Sequence, residues 1–217
     1  MTDFDAARRA MVDSQVRPSD VTRYGIIEAM SSVPRERFVP AAKREIAYAE
    51  LDVPLPGGRA MLAPRTLAKM LEAAAIDAGD LVLDLAPGTG YSTALIARLA
   101  EAVVAIEPAD TLRATAQGAL DTLEVLNAAV AGGDPTSGDA AHGPYDVIFV
   151  NGAVETLPAP LTDQLKDGGR LVAIFRDGPV GKCRVLTRAG EALSDRWVFD
   201  ADAPLLPGFE KPKSFDF

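Results

Sequence analysis

Asp80-Leu-Val-Leu-Asp-Leu-Ala-Pro-Gly-Thr-Gly-Tyr-Ser92 is the stretch whose reading decides the fold. It opens on an apolar run, Leu81 to Leu85, broken only by Asp84 and flanked by Gly79 and Pro87, which reads as a buried strand between turn residues. Gly88 and Gly90 then fall where the chain must turn sharply. Tyr91, Leu95, Ile96 and Leu99 follow at helical spacing. Strand, glycine turn and helix aim free N–H groups and the positive end of a helix at a bound nucleotide or acid group.

Downstream, polar groups follow one strand after another. Val103 to Ile106 reads as a second buried strand, and Glu107 stands just past its carboxyl end, about 20 residues beyond the glycine turn, the range in which an acid can hold the two hydroxyls of a ribose. A third strand, 128–131, runs out into Gly133-Asp134, and a fourth, 146–150, ends at Asn151-Gly152. Packing alone accounts poorly for such a series, and a crevice for an adenosine-bearing ligand accounts for it well.

The rest of the chain alternates in the same way: helix 91–100, helix 110–119, helix 158–166 and strand 170–175. That alternation implies a parallel sheet covered on both faces. Before it, residues 4–16 are helix-prone with a stripe of Ala7, Ala10, Met11 and Val16. Ser19 or Asp20 suits an N-cap for a helix over 21–30, and a short helical stretch begins at Ala41. The first third shows no strand alternation and reads as a helical cap. Pro64 fits the first position of a helix that buries Leu67, Met70, Leu71 and Ala74. Past Phe175, segments 184–188 and 192–199 flank Ala189-Gly190-Glu191 as a hairpin closing the sheet edge. The expected organisation is a cap over 1–60, a ligand-binding α/β domain over 61–200 and a tail over 201–217. The phenylalanines of the tail, Phe209, Phe215 and Phe217, are left as either packed or loose.

Composition narrows the function. The 217 residues carry 22 basic and 31 acidic side chains, a formal charge of −9, which argues against a general nucleic-acid clamp. One cysteine, Cys183, excludes an internal disulfide and offers no metal cluster; it reads as a small packed residue. The single histidine, His142, lies among Gly, Asp, Pro and Ser and reads as solvated. No run approaches the roughly 18 apolar residues of a membrane span, and the acidic N-terminus lacks a signal-peptide core, so a cytoplasmic location is expected, without membrane or nucleic-acid partners.

With these stretches laid out, the chain resembles the protein-L-isoaspartate O-methyltransferase family. The likeness lies in Met11-Val12, Gln15, Arg17 and Ala29-Met-Ser-Ser-Val-Pro-Arg-Glu-Arg-Phe-Val-Pro40, then in Ala47-Tyr48 and Pro54-Leu-Pro56. It continues through the glycine turn, Glu107, Gly133-Asp134, Pro144 to Val150 and Leu161 to Val172. It covers about residues 8–175, and the Val33–Pro40 wording is its specific part. The resemblance implies a Rossmann-like seven-stranded methyltransferase sheet with S-adenosylmethionine over Ala86 to Gly90, its ribose on Glu107 and its adenine at Gly133-Asp134. The cofactor-side candidates are then Asp84, Leu85, Ala86, Gly88, Gly90, Glu107, Gly133, Asp134 and Asn151, and the acceptor is the carboxylate of a protein or peptide.

Two departures bear on that implication. Ala86 and Pro87 stand where the family has a glycine and a small polar residue. Before Pro64 the family reads Gly-Gln-Thr-Ile-Ser-Gln-Pro, with the serine (or threonine) at the transfer site, whereas this chain reads Gly58-Arg-Ala-Met-Leu-Ala-Pro64. Leu62 replaces the hydroxyl, which leaves Pro64 at the helix start and Thr66, one turn on, as the remaining acceptor-side candidates. Three readings compete. One is a carboxyl methyltransferase with the family's acceptor or an altered one. Another is a non-catalytic module that binds S-adenosylmethionine or damaged proteins. The third is a nicotinamide-dependent oxidoreductase, supported by the glycine turn and Glu107 but lacking three-glycine spacing and a proton donor.

Overall fold

The computed structural model of the chain describes residues 3–212. The N-terminal segment is α1 (Phe4–Met11), continued by a wide π turn at Val12–Val16 and a tight turn at Arg17–Ser19, then α2 (Tyr24–Ser32). The capping expectation at Ser19 or Asp20 fails. Asp20 adopts a left-handed backbone, α2 starts only at Tyr24, and the Thr22 and Arg23 N–H groups donate to the Glu72 carboxylate instead. Ala10 is exposed, so the buried stripe of α1 is narrower than its spacing predicts. Next comes a structure unforeseen in the cap, an antiparallel pair of β1 (Val53–Pro54) and β2 (Ala60–Met61). Two residues per strand are too few to show a period-two pattern. The pair is made by the turn between them, where Gly57 and Gly58 both take φ near +70° and Leu55 N–H donates to the Arg59 carbonyl.

From Pro64 onward the predicted alternation appears: α3 (Pro64–Ala74), β3 (Leu81–Leu85), α4 (Tyr91–Ile96), β4 (Ala102–Ile106), α5 (Asp110–Thr122), β5 (Ala128–Ala131), β6 (Tyr145–Val154), α6 (Ala159–Thr162), β7 (Leu165–Phe175), β8 (Lys182–Ala189) and β9 (Ala192–Asp200). The helix expected over 158–166 shrinks to the four residues of α6, because β7 begins early, pairing Leu165 with Tyr145 before an irregularity at Gly168-Gly169. The helix expected over 91–100 ends at Ile96, and the strand expected over 146–150 runs on to Val154, so Asn151 lies within it rather than past its end. The seven strands run in the order β5-β4-β3-β6-β7-β8-β9, parallel from β5 to β7 and antiparallel from β7 through β9. From β3 the chain moves outward on one side and, after β5, returns to the other side at β6. The β3–β6 boundary is therefore the topological switch point at which such sheets open a crevice.

Period-two alternation divides the strand side chains between two cores. Val82, Val147, Phe149, Val172 and Ile174 belong to one, which also takes in Met11, Val16, Met30 and Phe38 from the N-terminal helices and turns. Leu83, Leu85, Ile148, Val150, Leu171 and Ala173 belong to the other, roofed by Leu161, Leu206 and Phe209. The N-terminal segment thus covers one face and the C-terminal segment the other. Leu205 bridges to Ala153, and Phe209 is fully buried; Phe215 and Phe217 lie outside the described residues. Cys183 is buried and unpaired, and burial pushes its thiol up to about 12. His142 is exposed and pairs with Asp139. Among the described residues no helix is long and apolar enough to cross a membrane.

Candidate active site

Two buried carboxylates organise the carboxyl edge of the sheet. Asp84 follows Val82 at period two and faces the core beneath α4. Its Oδ2 accepts from Ser92 Oγ (2.9 Å) and Thr93 Oγ1 (2.6 Å) in the first turn of that helix, and its Oδ1 accepts from Asn151 Nδ2 (2.6 Å) in β6. The same Asn151 amide donates to the Leu85 carbonyl at 3.0 Å. This network ties β3, α4 and β6 together behind the glycine turn. Complete burial drives the Asp84 carboxyl up to about 6, a rise that the Thr93, Asn151 and Ser92 donors restrain and the nearby Glu107 charge adds to.

Glu107 caps the end of β4 and is also fully buried. Its Oε2 accepts from Gly88 N–H at 2.8 Å and its Oε1 from Ala109 N–H at 3.1 Å. The guanidinium of Arg59 lies against the same two oxygens, Nη1 to Oε1 and Nη2 to Oε2, both at 3.4 Å. Arg59 Nη2 also donates to the Ala86 carbonyl. Arg59 is itself buried, at 7% exposure. Charged side chains are seldom buried unless paired, and its partner is 48 residues away, so no local pattern announces it.

The cavity at this edge measures about 660 Å³ and is lined by Arg59, Ala86, Pro108-Ala109, Gly133-Asp134-Pro135 and, from the tail, Leu206-Pro207-Gly208. Of the predicted cofactor-side residues, Ala86, Gly133 and Asp134 line it, and Glu107 sits directly behind Arg59. Asp84, Leu85, Gly88, Gly90 and Asn151 do not line it. Leu85 is core, and Asp84 and Asn151 are committed to each other. A Cβ on Gly88 would come within 2.7 Å of Leu55, and one on Gly90 within 2.9 Å of Ala116, so both glycines serve close packing. Ala86 takes φ +56°, the left-handed region that suits the family's glycine better than alanine. The tail's contribution to the lining was not foreseen.

On the acceptor side, Leu62 is 2% exposed and part of the apolar core. Its carbonyl accepts from Arg35 Nη2 at 2.8 Å, while Arg35 Nε donates to Ala47. Arg35 is wholly buried, stacked 4.9 Å from the Tyr91 ring centroid, and burial lowers its pKa. It clamps the Val33–Pro40 segment to the strand leading into α3. The N–H of Ala63, at the start of α3, is taken by Asp52 Oδ1 at 2.7 Å. Pro64 is buried as the first residue of α3, and half-buried Thr66 lines a separate pocket with Lys69 and Phe199. The three acceptor-side candidates therefore do not meet the 660 Å³ cavity.

The arrangement fits an adenosyl group. The lining is mostly apolar, suited to a flat base, and Asp134 is at hand. A family model described as protein-L-isoaspartate(D-aspartate) O-methyltransferase matches residues 7–191. The chain belongs to that family. With it the chain joins the S-adenosylmethionine-dependent methyltransferases, and the nicotinamide reading is set aside. A protein-L-isoaspartate O-methyltransferase of Koribacter versatilis is 40% identical over 172 residues, 79% of this chain and 78% of that protein. One of Roseiflexus castenholzii is 35% identical over 212 residues, 95% and 94% of the two chains.

Solved structures share the fold. A protein-L-isoaspartate O-methyltransferase superposes with a TM-score of 0.82 at 24% identity, over 93% of this chain and 66% of that one, which is just under two thirds of its length. A Plasmodium falciparum protein of the same putative family, solved in complex with S-adenosyl-L-homocysteine, gives 0.78 at 17% identity over 95% and 99%.

Proposed function

We propose that the cavity holds S-adenosylmethionine and that the chain transfers its methyl group to a carboxylate of a protein or peptide, with isoaspartyl repair weak or absent. The observation that carries the first part is the pairing of an apolar cavity over the carboxyl ends of β3, β4 and β5 with a buried carboxylate at the end of β4. Glu107 would take the sugar hydroxyls, Ala86 and the backbone around it the middle of the cofactor, and Gly133-Asp134 the base. Asp84, Asn151, Ser92 and Thr93 act one layer back, holding the turn in shape. The bound cofactor supplies an activated methyl group. The acceptor carboxylate is already ionised at neutral pH, its reference pKa being about 4, so the protein's own work is alignment and exclusion of water.

The second part rests on Leu62. A core-packed leucine cannot give an acceptor the hydroxyl hydrogen bond that the family's serine offers. Loss of one hydrogen bond to a charged group costs about 1.5–3 kcal/mol, or roughly one to two decades in rate. The same burial favours a second reading, a non-catalytic binding module. A labelled-methyl assay on isoaspartyl and ordinary acidic peptides separates the two. Slow transfer, or transfer to another carboxylate, is the expected outcome. Vigorous isoaspartyl methylation would overturn the weak-repair clause, and cofactor binding with no transfer to any carboxylate would favour the module.

A further inference from the structure

Arg59 stands between the cavity and the carboxylate that a bound sugar needs. It lines the cavity; Glu107, behind it, is fully buried. Each Glu107 oxygen already accepts one backbone N–H, from Gly88 and Ala109, and the Arg59 fork occupies the remaining acceptor capacity of both. Two neighbouring hydroxyls would have to donate to these same oxygens.

We propose that Arg59 is an internal competitor for the sugar subsite: its guanidinium holds the Glu107 carboxylate in the free protein and must leave before an adenosyl ligand is seated. This deepens, and rests on, the reading of the cavity as the S-adenosylmethionine site.

The fork is poorly seated on Glu107, although its Nη2 also donates to the Ala86 carbonyl, a bond that withdrawal gives up. Both contacts to Glu107 are 3.4 Å, beyond the usual 2.7–3.2 Å for an N–H donor, whereas hydroxyl bonds to a carboxylate close to about 2.5–2.7 Å. Arg59 Nε is buried with no partner at all, a cost that withdrawal of the side chain relieves. Beside it, Gly57 and Gly58 lie in an exposed turn with open space around their α-carbons, so the hairpin tip has room to carry Arg59 outward. The competition has a thermodynamic signature. Whatever stabilises the free protein through the Arg59–Glu107 contact is subtracted from ligand affinity, because only the free state contains that contact.

The test is calorimetric titration of the full chain with S-adenosylmethionine, natural and with Arg59→Gln, alongside thermal unfolding of each without ligand. The expected result is at least tenfold tighter binding by the Gln variant (about 1.4 kcal/mol) together with a lower unfolding temperature of the free protein. Arg59→Lys, which keeps the charge but loses the two-pronged fork, is expected to bind with intermediate affinity, and it decides the matter should the Gln variant not fold. Binding by the variants that is equal to or weaker than that of the natural protein overturns the competitor role and leaves the cofactor site standing. No binding by any of the three overturns the competitor role and the cofactor site together.

Discussion

The turn after β3 and the short β1–β2 hairpin lying across it bury polar groups by opposite means. Under the turn, Asp84 is surrounded by three neutral donors at 2.6 to 2.9 Å and has no counter-charge within the network. At the hairpin, Arg59 meets Glu107 charge to charge, but at 3.4 Å on both prongs and with its Nε unsatisfied. Close neutral contacts from two other elements, α4 and β6, make a brace that has nowhere else to go. A loose ion pair between a hairpin tip and a strand end makes a contact that can be exchanged. In this chain the rigid element shapes the turn after β3 and the exchangeable one covers it.

The largest effect expected from this contrast is on the brace. Asp84→Ala strands the Ser92, Thr93 and Asn151 donors in the interior and should lower stability by about 3–5 kcal/mol in denaturant titration. A loss below about 1 kcal/mol would break the distinction, since the network would then not be what holds the turn.

The pH dependence sharpens it. The Asp84 carboxyl is raised in the folded protein from its ordinary 3.8 to about 6, so between those values the native state holds more proton than the unfolded one. Its contribution to stability is therefore full below about pH 4 and is lost as pH rises towards 6, in total on the order of 3 kcal/mol. The stability difference between the natural protein and Asp84→Asn, followed by chemical denaturation from pH 4 to 7, should change in that sense. A flat difference would contradict the burial argument.

On the covering side, Leu62→Ser restores the family's hydroxyl within an apolar core and should cost about 2–3 kcal/mol, read as a shift in the denaturation midpoint. A neutral substitution would mean that the segment before α3 is looser than its burial implies. The smallest effect is expected at Ala86, whose φ of +56° strains an alanine. Ala86→Gly should stabilise by up to about 1 kcal/mol, relief of strain outweighing the added chain entropy; destabilisation by that amount would argue against strain at this position.

Much of this was legible in the residue order. Leu81–Leu85 and Ala128–Ala131 are strands over the residues expected, and Glu107 and Gly133-Asp134 follow β4 and β5 at the edge where the cavity opens. These are local patterns, an apolar run, a turn, a polar residue after it, and local patterns survive in a linear text. The β1–β2 hairpin was missed because two-residue strands have no periodicity to detect. Arg59 and Arg35 were missed for another reason. An arginine reads as surface by default, and what buries these two is a set of acceptors far along the chain: Ala86 and Glu107 for the one, Ala47 and Leu62 for the other. Thr66 is a candidate as the nearest spare hydroxyl in the sequence, yet in α3 it lines a pocket with Lys69 and Phe199.

What the amino-acid order by itself determined was the alternating fold, the sheet edge at which the polar residues before the cavity stand, and the family to which the chain belongs. All three follow from periodicity and from residues adjacent in the chain. Only the tertiary structure decided that Asp84 is bonded to Ser92, Thr93 and Asn151 and does not line the cavity, that Leu62 is core, and that Glu107 already has a cationic partner. Those outcomes depend on which distant groups share a buried volume, where every polar atom must find a partner or go without, and the competition for partners is settled only once the chain has closed on itself.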